Sequence, residues 1–228
     1  MRSLILTVLV LSQTPEPQTP TVEKRMGDHF SKATEMKAAI VSGKLAEAKA
    51  AAAWLGKTEW SPQMSEDWRV PLQKLRAIAT RTSIAPDLPT AAMGLGEIGA
   101  ACAECHRALG GPQVSDSRPP GPASGAQPRM TRHGWAVERM WLGLTTPSDP
   151  AWLAGTEALA DAPLDPKELG QKADAELKPL ANRIRALGER AHAAPPMERA
   201  TIYGQLLSTC ASCHTQSGAA PRAQSSQR

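Results

Sequence analysis

The chain has 228 residues and a formal net charge of +4 at neutral pH, and it contains a single Phe and a single Tyr. This length suits one medium domain or two small ones, and an alanine-rich composition with few β-branched runs favours helices. The positive charge forms no block of Lys and Arg, so the sequence gives no support to nucleic-acid binding. We therefore expect an all-α protein.

Residues 1–12 are typical of a secretory signal peptide. Arg2 supplies a positive charge, residues 4–11 form a largely apolar run, and Ser12 is a small residue suited to cleavage. The run is too short to span a bilayer, which needs about 20 residues. We therefore expect export to the periplasm or another extracytoplasmic compartment, with no transmembrane segment once the signal is removed.

Four helices are predicted in the first half of the chain, residues 21–109. The first, over about 21–41, follows an apolar stripe spaced by three and four residues, and Ser42-Gly43 ends it. The other three are predicted over about 45–55, 68–81 and 90–108, separated by Gly, Ser and Pro signals.

Residues 110–128 are rich in Pro, Gly, Ser and Gln and have no apolar period, which predicts a linker. The second half, residues 129–216, is predicted to contain four further helices. They begin near Arg129, at an Asp149-Pro150 cap, at an Asp165-Pro166 cap and near Met197. The polar residues 217–228 are predicted to form a disordered tail.

All four cysteines belong to two C-x-x-C-H motifs, Cys102-Ala103-Glu104-Cys105-His106 and Cys210-Ala211-Ser212-Cys213-His214. This motif is the attachment signature of haem c. On a helix both sulfurs lie on one face, where each can form a thioether with a haem vinyl group, and the adjacent His can ligate the iron. A redox dithiol, half a zinc site and chance are the competing interpretations. Two copies with no cysteine left over, after a secretion signal, favour two haem c groups.

The two motifs end two copies of an internal repeat. They lie 108 residues apart (210 − 102), and at that offset Pro71-Leu72 matches Pro179-Leu180 and Gly96 matches Gly204. Nearer the N-terminus the offset is 104 (133 − 29), a change that a four-residue difference in helix length explains. At this second offset three residues match together: Met26, His29 and Met36 with Met130, His133 and Met140.

The repeat indicates which histidines are candidate iron ligands. His106 and His214 directly follow the Cys pairs and are the predicted proximal ligands. His29 and His133 occupy equivalent places on the first helix of each half, and an up-down bundle places its first helix beside its fourth. We therefore predict His29 and His133 as distal ligands of two bis-His, low-spin irons. His192 has no counterpart and is interpreted as a surface residue at a helix end.

Two methionines are the alternative distal ligands. Met26 and Met130 lie one turn before the predicted His ligands on the same helix face, and a thioether also ligates haem iron. Methionine on an apolar stripe more often fills a core. Imidazole is the stronger ligand, so His is ranked first. For the Trp residues, core packing is the expectation, with Trp54 and Trp152 as candidates to pack on the haems.

A four-helix unit that carries C-x-x-C-H at the end of its last helix resembles cytochrome c′ and its low-spin relatives. Over most of residues 21–108 and 129–215 the sequence is similar to a tandem, dihaem version of that family. The resemblance implies two tandem four-helix-bundle units, each with one covalently bound haem c at the end of its fourth helix. It also implies His106 and His214 as iron ligands, with a sixth position that is open or filled by Met. The His three residues after each candidate Met departs from the family pattern.

Three functions remain open. The first is an electron carrier that passes single electrons between extracytoplasmic redox partners. The second is a cytochrome c′-like NO or CO binder, or a peroxidase, which needs an iron with an open or displaceable sixth site. The third is a redox subunit of a larger electron-transfer complex. A candidate ligand in each half favours the carrier, and the sequence has no nucleophile elbow or Gly-rich phosphate loop. We therefore expect a carrier, not an enzyme.

Overall fold

The computed structural model of the chain describes residues 21–59, 65–121, 125–161 and 173–218. Over these residues it contains eight α-helices and no β-strand, which confirms the all-α prediction. In the same part of the chain no helix is both long and apolar enough to cross a bilayer. The predicted signal peptide, the predicted Asp165-Pro166 cap and the end of the predicted tail lie outside the described residues.

The helices follow the predicted order closely. Those of the first half are α1 (Val22–Val41), α2 (Leu45–Gly56), α3 (Arg69–Ser83) and α4 (Leu88–Leu109), and a 3-10 helix (Glu66–Trp68) precedes α3. Those of the second half are α5 (Ala126–Thr145), α6 (Asp149–Ala160), α7 (Ala173–Ala193) and α8 (Pro196–Ser217).

Local sequence explains where α1 begins and ends. The Thr21 hydroxyl accepts a hydrogen bond from the Lys24 N–H at the start of the helix. At the other end Ser42 is followed by Gly43 with φ +76°, a left-handed conformation that glycine adopts without strain. The predicted stop at Ser42-Gly43 is therefore confirmed.

The predicted cap of α6 is wrong by one residue. Ser148 is the N-cap, and its side chain accepts the Ala151 N–H. Asp149 is the first helical residue instead, where its carboxylate still faces the positive end of the helix dipole. Both residues are good caps, and the hydrogen bond to the backbone decides between them.

The helix bounds reproduce both offsets of the repeat. Adding 104 to the bounds of α1 and α2 gives those of α5 and α6, and adding 108 to those of α4 gives those of α8. The offset therefore changes between α6 and α8, and α7 has 21 residues where α3 has 15. The repeated prolines differ in position, since Pro71 lies in the first turn of α3 and Pro179 inside α7.

The two halves pack against each other along α4 and α8. Gly96 of α4 lies against Ala200 and Gly204 of α8, and Gly204 lies against Ala92 and Met93 of α4. Residue numbers rise along one helix as they fall along the other, so α4 and α8 run antiparallel. They cross at two glycines that occupy equivalent places in the repeat, where the missing side chains let the backbones approach closely.

Each first helix contacts the last helices of both halves, since α1 and α5 each pack against α4 and α8. Between α1 and α5, Lys37 is 7% exposed and pairs with Glu138. Burial lowers the pKa of Lys37, and the Glu138 carboxylate opposes that shift. Trp141 lies under the Lys37 ammonium and stacks on Tyr203 of α8 with ring centroids 5.6 Å apart. Charged and aromatic groups thus fill the contact between the halves.

The connection between the halves follows the surface of α5. Arg139 donates a hydrogen bond to the carbonyl of Ser115, and Arg132 donates one to the carbonyl of Pro120. Both arginine side chains are largely buried beneath it. Helix α5 begins at Ala126, inside the stretch predicted as a linker.

We expect Gly96→Ala to destabilise the protein by about 1–3 kcal/mol, because the added methyl group would overlap the Ala200 carbonyl in α8. The matched control is Gly27→Ala in α1, where an added Cβ meets nothing within 4 Å. The control should stabilise the helix by about 0.5–1 kcal/mol. Denaturant unfolding followed by circular dichroism measures both changes, and equal stability of the two variants would contradict the crossing.

We expect Glu138→Gln to lower stability by about 2–3 kcal/mol, because it leaves the buried Lys37 ammonium without its counter-charge. Adding Lys37→Met should recover most of the loss, since neither charge then remains. Glu97→Gln, which breaks the exposed pair with Arg81, is the control and should cost less than about 1 kcal/mol. If the two Glu variants unfold at the same denaturant concentration, the ion pair between α1 and α5 is not a stabilising contact.

Candidate functional site

The two C-x-x-C-H motifs lie near the C-terminal ends of α4 and α8, as the sequence predicts. All four cysteines are free thiols. Burial raises the pKa of Cys102 and of Cys210 to about 12, and it also raises the pKa of Cys105 and of Cys213. These sulfurs are therefore protonated at neutral pH. A redox dithiol needs a lowered thiol pKa, so the competing dithiol interpretation loses support.

Each motif histidine makes a hydrogen bond to the other half of the chain. Nδ1 of His106 lies 2.7 Å from the carbonyl oxygen of Thr145, the last residue of α5. Nδ1 of His214 lies 2.9 Å from the carbonyl oxygen of Val41, the last residue of α1. A carbonyl oxygen only accepts, so Nδ1 carries the proton and donates in both cases. In the neutral ring this leaves Nε2 unprotonated, which is the form in which imidazole binds a metal ion.

The two hydrogen bonds are related by the repeat. His106 and His214 are equivalent at the offset of 108, and Val41 and Thr145 are equivalent at the offset of 104 (145 − 41). The last carbonyls of a helix have no partner within the helix and lie at its negative end. Helices α1 and α5 thus each offer an unused acceptor to an imidazole of the opposite half. These acceptors are backbone atoms, which every residue has, so no residue pattern in the sequence predicted them.

A cavity of about 520 Å³ lies beside His106, between the residues that follow α4 and the loop from α5 to α6. Gly111 packs directly on the imidazole: a Cβ at this position would lie 2.7 Å from Cβ and 2.8 Å from Cγ of His106. Only a residue without a side chain fits here, so Gly111 lets the connection fold over His106. Sequence analysis assigned this glycine to the linker and gave it no role at the site.

The predicted distal residues lie toward the same end of the molecule as the motif of their own half. Val41, the end of α1, lies beside His214, at the end of the molecule where α4 begins. Helix α1 therefore runs antiparallel to α4, and its N-terminal part, with Met26 and His29, extends toward Cys102. The equivalent bond from His106 to Thr145 gives α5 the same relation to α8.

The side chains of these distal candidates differ in burial. His29 is half-buried, and its ring meets the ring of Trp54 edge-on with centroids 6.0 Å apart. Burial lowers the pKa of His29, so the imidazole is neutral at pH 7. His133 is 6% exposed. Met26 and Met130 are half-buried, so both pairs of candidates stay open.

The other residues considered in the sequence contribute to packing or lie at the surface. Met36 and Met140 are fully buried core residues. His192 is exposed at the end of α7, with Nδ1 3.2 Å from the Thr156 hydroxyl, as expected of a surface histidine. Trp152 is buried and donates from its indole nitrogen to the Ala191 carbonyl. Trp54 is 41% exposed, so the expectation that it lies in the core is wrong; it covers one side of His29 instead.

Searches with protein-family models, among curated proteins and among solved structures found no match to this chain. Over the described residues, no group of three or more His, Cys, Asp and Glu side chains is placed to hold a metal ion. The chemistry of the site is therefore inferred from the two motifs and the groups that hold them.

Proposed function

We propose that this protein is a dihaem c-type cytochrome that carries single electrons between extracytoplasmic redox partners. The observation that supports it best is the pair of crosswise hydrogen bonds from His106 to Thr145 and from His214 to Val41. A metal-bound histidine characteristically donates its other ring N–H to a carbonyl or carboxylate. Both C-x-x-C-H motifs have this arrangement, and both copies have it at equivalent positions.

The residues present fit a covalently attached haem. Cys102 and Cys105 would hold the first haem, Cys210 and Cys213 the second, through thioethers, and the following His would bind each iron. When bound, the haem supplies a one-electron couple. The chain itself partly buries the sulfurs, orients each imidazole through its Nδ1–H and increases its basicity through the carbonyl acceptor.

We also propose that the helices are arranged as two bundles. Residues 21–109 and 129–216 would each form a four-helix unit of the cytochrome c′ type, with a haem at the end of the fourth helix. Contacts between consecutive helices within each half support these units. The antiparallel contact of α4 and α8 joins the two units side by side.

His29 and His133 are proposed as the sixth ligands, with Met26 and Met130 as the alternatives. The direction of α1 and α5 supports both assignments, since each helix extends from the opposite motif toward the motif of its own half. His29 is neutral at pH 7 and so has a free lone pair. Two coordinatively saturated irons suit electron transfer, whereas gas binding or peroxidase chemistry needs an open or displaceable site.

The proposal places the protein outside the cytoplasm. Residues 1–12 have the composition of a secretory signal. Proposed partners are small redox proteins or the other subunits of a larger electron-transfer complex.

We expect the purified protein to contain two covalently bound haems per chain and to show low-spin spectra that carbon monoxide leaves unchanged. Saturation of both irons by protein ligands is the physical reason. Absorption spectra of the oxidised and reduced protein, with and without carbon monoxide, measure this. A high-spin signal or rapid carbon monoxide binding would favour the cytochrome c′-like gas binder, and a chain without haem would refute the proposal.

The ligand assignment is tested in the same spectra. His29→Ala and His133→Ala should each convert one of the two haems to high spin, because each removes one sixth ligand. His192→Ala, at the exposed end of α7, is the matched control and should leave both haems low spin. If neither variant changes the spectrum, Met26→Ala and Met130→Ala test the alternative.

We expect Gly111→Ala to raise the reduction potential of one haem only. The added methyl group displaces the His106 ring and weakens its hydrogen bond to Thr145, which lowers the basicity of the ligand and favours the reduced iron. A hydrogen bond contributes about 1 kcal/mol, so its loss can raise the potential of a one-electron couple by up to about 40 mV. Potentiometric titration of the haem absorbance gives the two potentials.

The control is Gly121→Ala in the same connection, where an added Cβ meets nothing within 4 Å. It should leave both potentials at their original values. An equal shift of both haems in Gly111→Ala, or the same shift in the control, would show that Gly111 does not act through His106.

A further inference from the structure

Because α4 and α8 pack antiparallel, the two motifs lie toward opposite ends of this helix pair. Both helices cross at equivalent glycines, Gly96 and Gly204, and both continue beyond the crossing to their motif. Cys105 follows Gly96 by nine residues and Cys213 follows Gly204 by nine residues (105 − 96 and 213 − 204). Gly96 lies level with Ala200 rather than with Gly204, so at a rise of about 1.5 Å per residue the two cysteines lie about 27 Å or more apart along the helix pair.

The histidine contacts support the same separation by a different route. His106 contacts the end of α5, and His214 contacts the end of α1, so the motifs lie against different helices. Gly43 lies beside Thr215, which follows the second motif, and Gly111 lies beside His106 in the first. The two motifs therefore have separate surroundings.

Buried side chains pack beside the crossing of α4 and α8, which lies between the two motifs along the helix pair. Trp141 and Tyr203 stack there, both fully buried, and the Lys37–Glu138 ion pair lies next to them. The Tyr203 hydroxyl donates to the carbonyl of Val137. This packed layer belongs to the contact between the halves and separates one motif from the other.

We propose that the two haems work as separate one-electron sites at opposite ends of the molecule, each exchanging electrons with a redox partner at its own face. They would not form a relay that passes an electron from one haem to the other. This inference rests on the proposed function and adds the number and position of the faces at which redox partners dock. Each face is built around the end of one haem helix and the end of a first helix from the opposite half.

Separation also weakens the energetic coupling between the two sites. Two unit charges about 27 Å apart, at the effective dielectric constant of about 20 that suits protein, change each other's equilibrium constants by about 3-fold. Salt screens the part of the field that passes through solvent and reduces this coupling further. Reduction of one haem should therefore change the affinity of the other for an electron by no more than about 3-fold.

Two measurements on the purified full-length protein test the proposal, after the haem content has been counted. Pulsed dipolar electron paramagnetic resonance of the fully oxidised protein should give an iron–iron separation of about 20 Å or more. A potentiometric titration should fit two one-electron steps, with the state of one haem changing the equilibrium constant of the other by no more than about 3-fold.

A separation below about 20 Å, well under the helix estimate, would overturn the proposal. Coupling of more than about tenfold between the two reduction steps would overturn it as well. These outcomes leave the proposed function intact, because two bound haems would still have been counted. A chain with one haem or none would refute the proposed function itself.

Discussion

The crossing of α4 and α8 is the constraint on which the rest of the structure depends. Two glycines at equivalent repeat positions, Gly96 and Gly204, let the helices pack backbone to backbone. Because the helices run antiparallel, their C-terminal ends point in opposite directions, and each motif meets the first helix of the other half. A larger residue at either glycine would separate the halves and with them the imidazoles from their acceptors.

The crosswise hydrogen bonds give a physical reason for joining the halves in one chain. A single half contains a motif histidine and a first helix, but the carbonyl that orients the histidine comes from the other half. His106 depends on Thr145, and His214 depends on Val41. The connection over residues 110–121, held to α5 through Arg132 and Arg139, keeps the halves together at high effective concentration. Each site is thus completed only when both copies have folded.

Sequence reasoning located the helices and motifs because those depend on local signals. Apolar period, caps and breakers predicted most helix bounds to within a few residues, and the offsets of 104 and 108 identified equivalent residues. The exception is α7, which begins at Ala173, because its predicted cap lies outside the described residues. A repeat in the sequence shows which residues of the two halves are equivalent. It does not show whether a residue contacts its own half or the other half. The acceptors at Val41 and Thr145 are backbone atoms, and the close contact of Gly111 with His106 depends on the path of the connection. Such features follow from tertiary packing, so neither the composition of the sequence nor its apolar periodicity predicts them.

The raised pKa of Cys102 and Cys210 bears on the proposed export of the chain. An exported protein with two C-x-x-C pairs meets an oxidising compartment, in which neighbouring thiols form disulfides. That reaction proceeds through the thiolate, whose fraction at neutral pH falls as the thiol pKa rises. Burial raises the pKa of Cys102 and Cys210 to about 12, so the thiolate fraction of one thiol in each pair is small at neutral pH. The packing around each motif therefore slows disulfide formation within the pair, and the proposed thioethers need both sulfurs reduced.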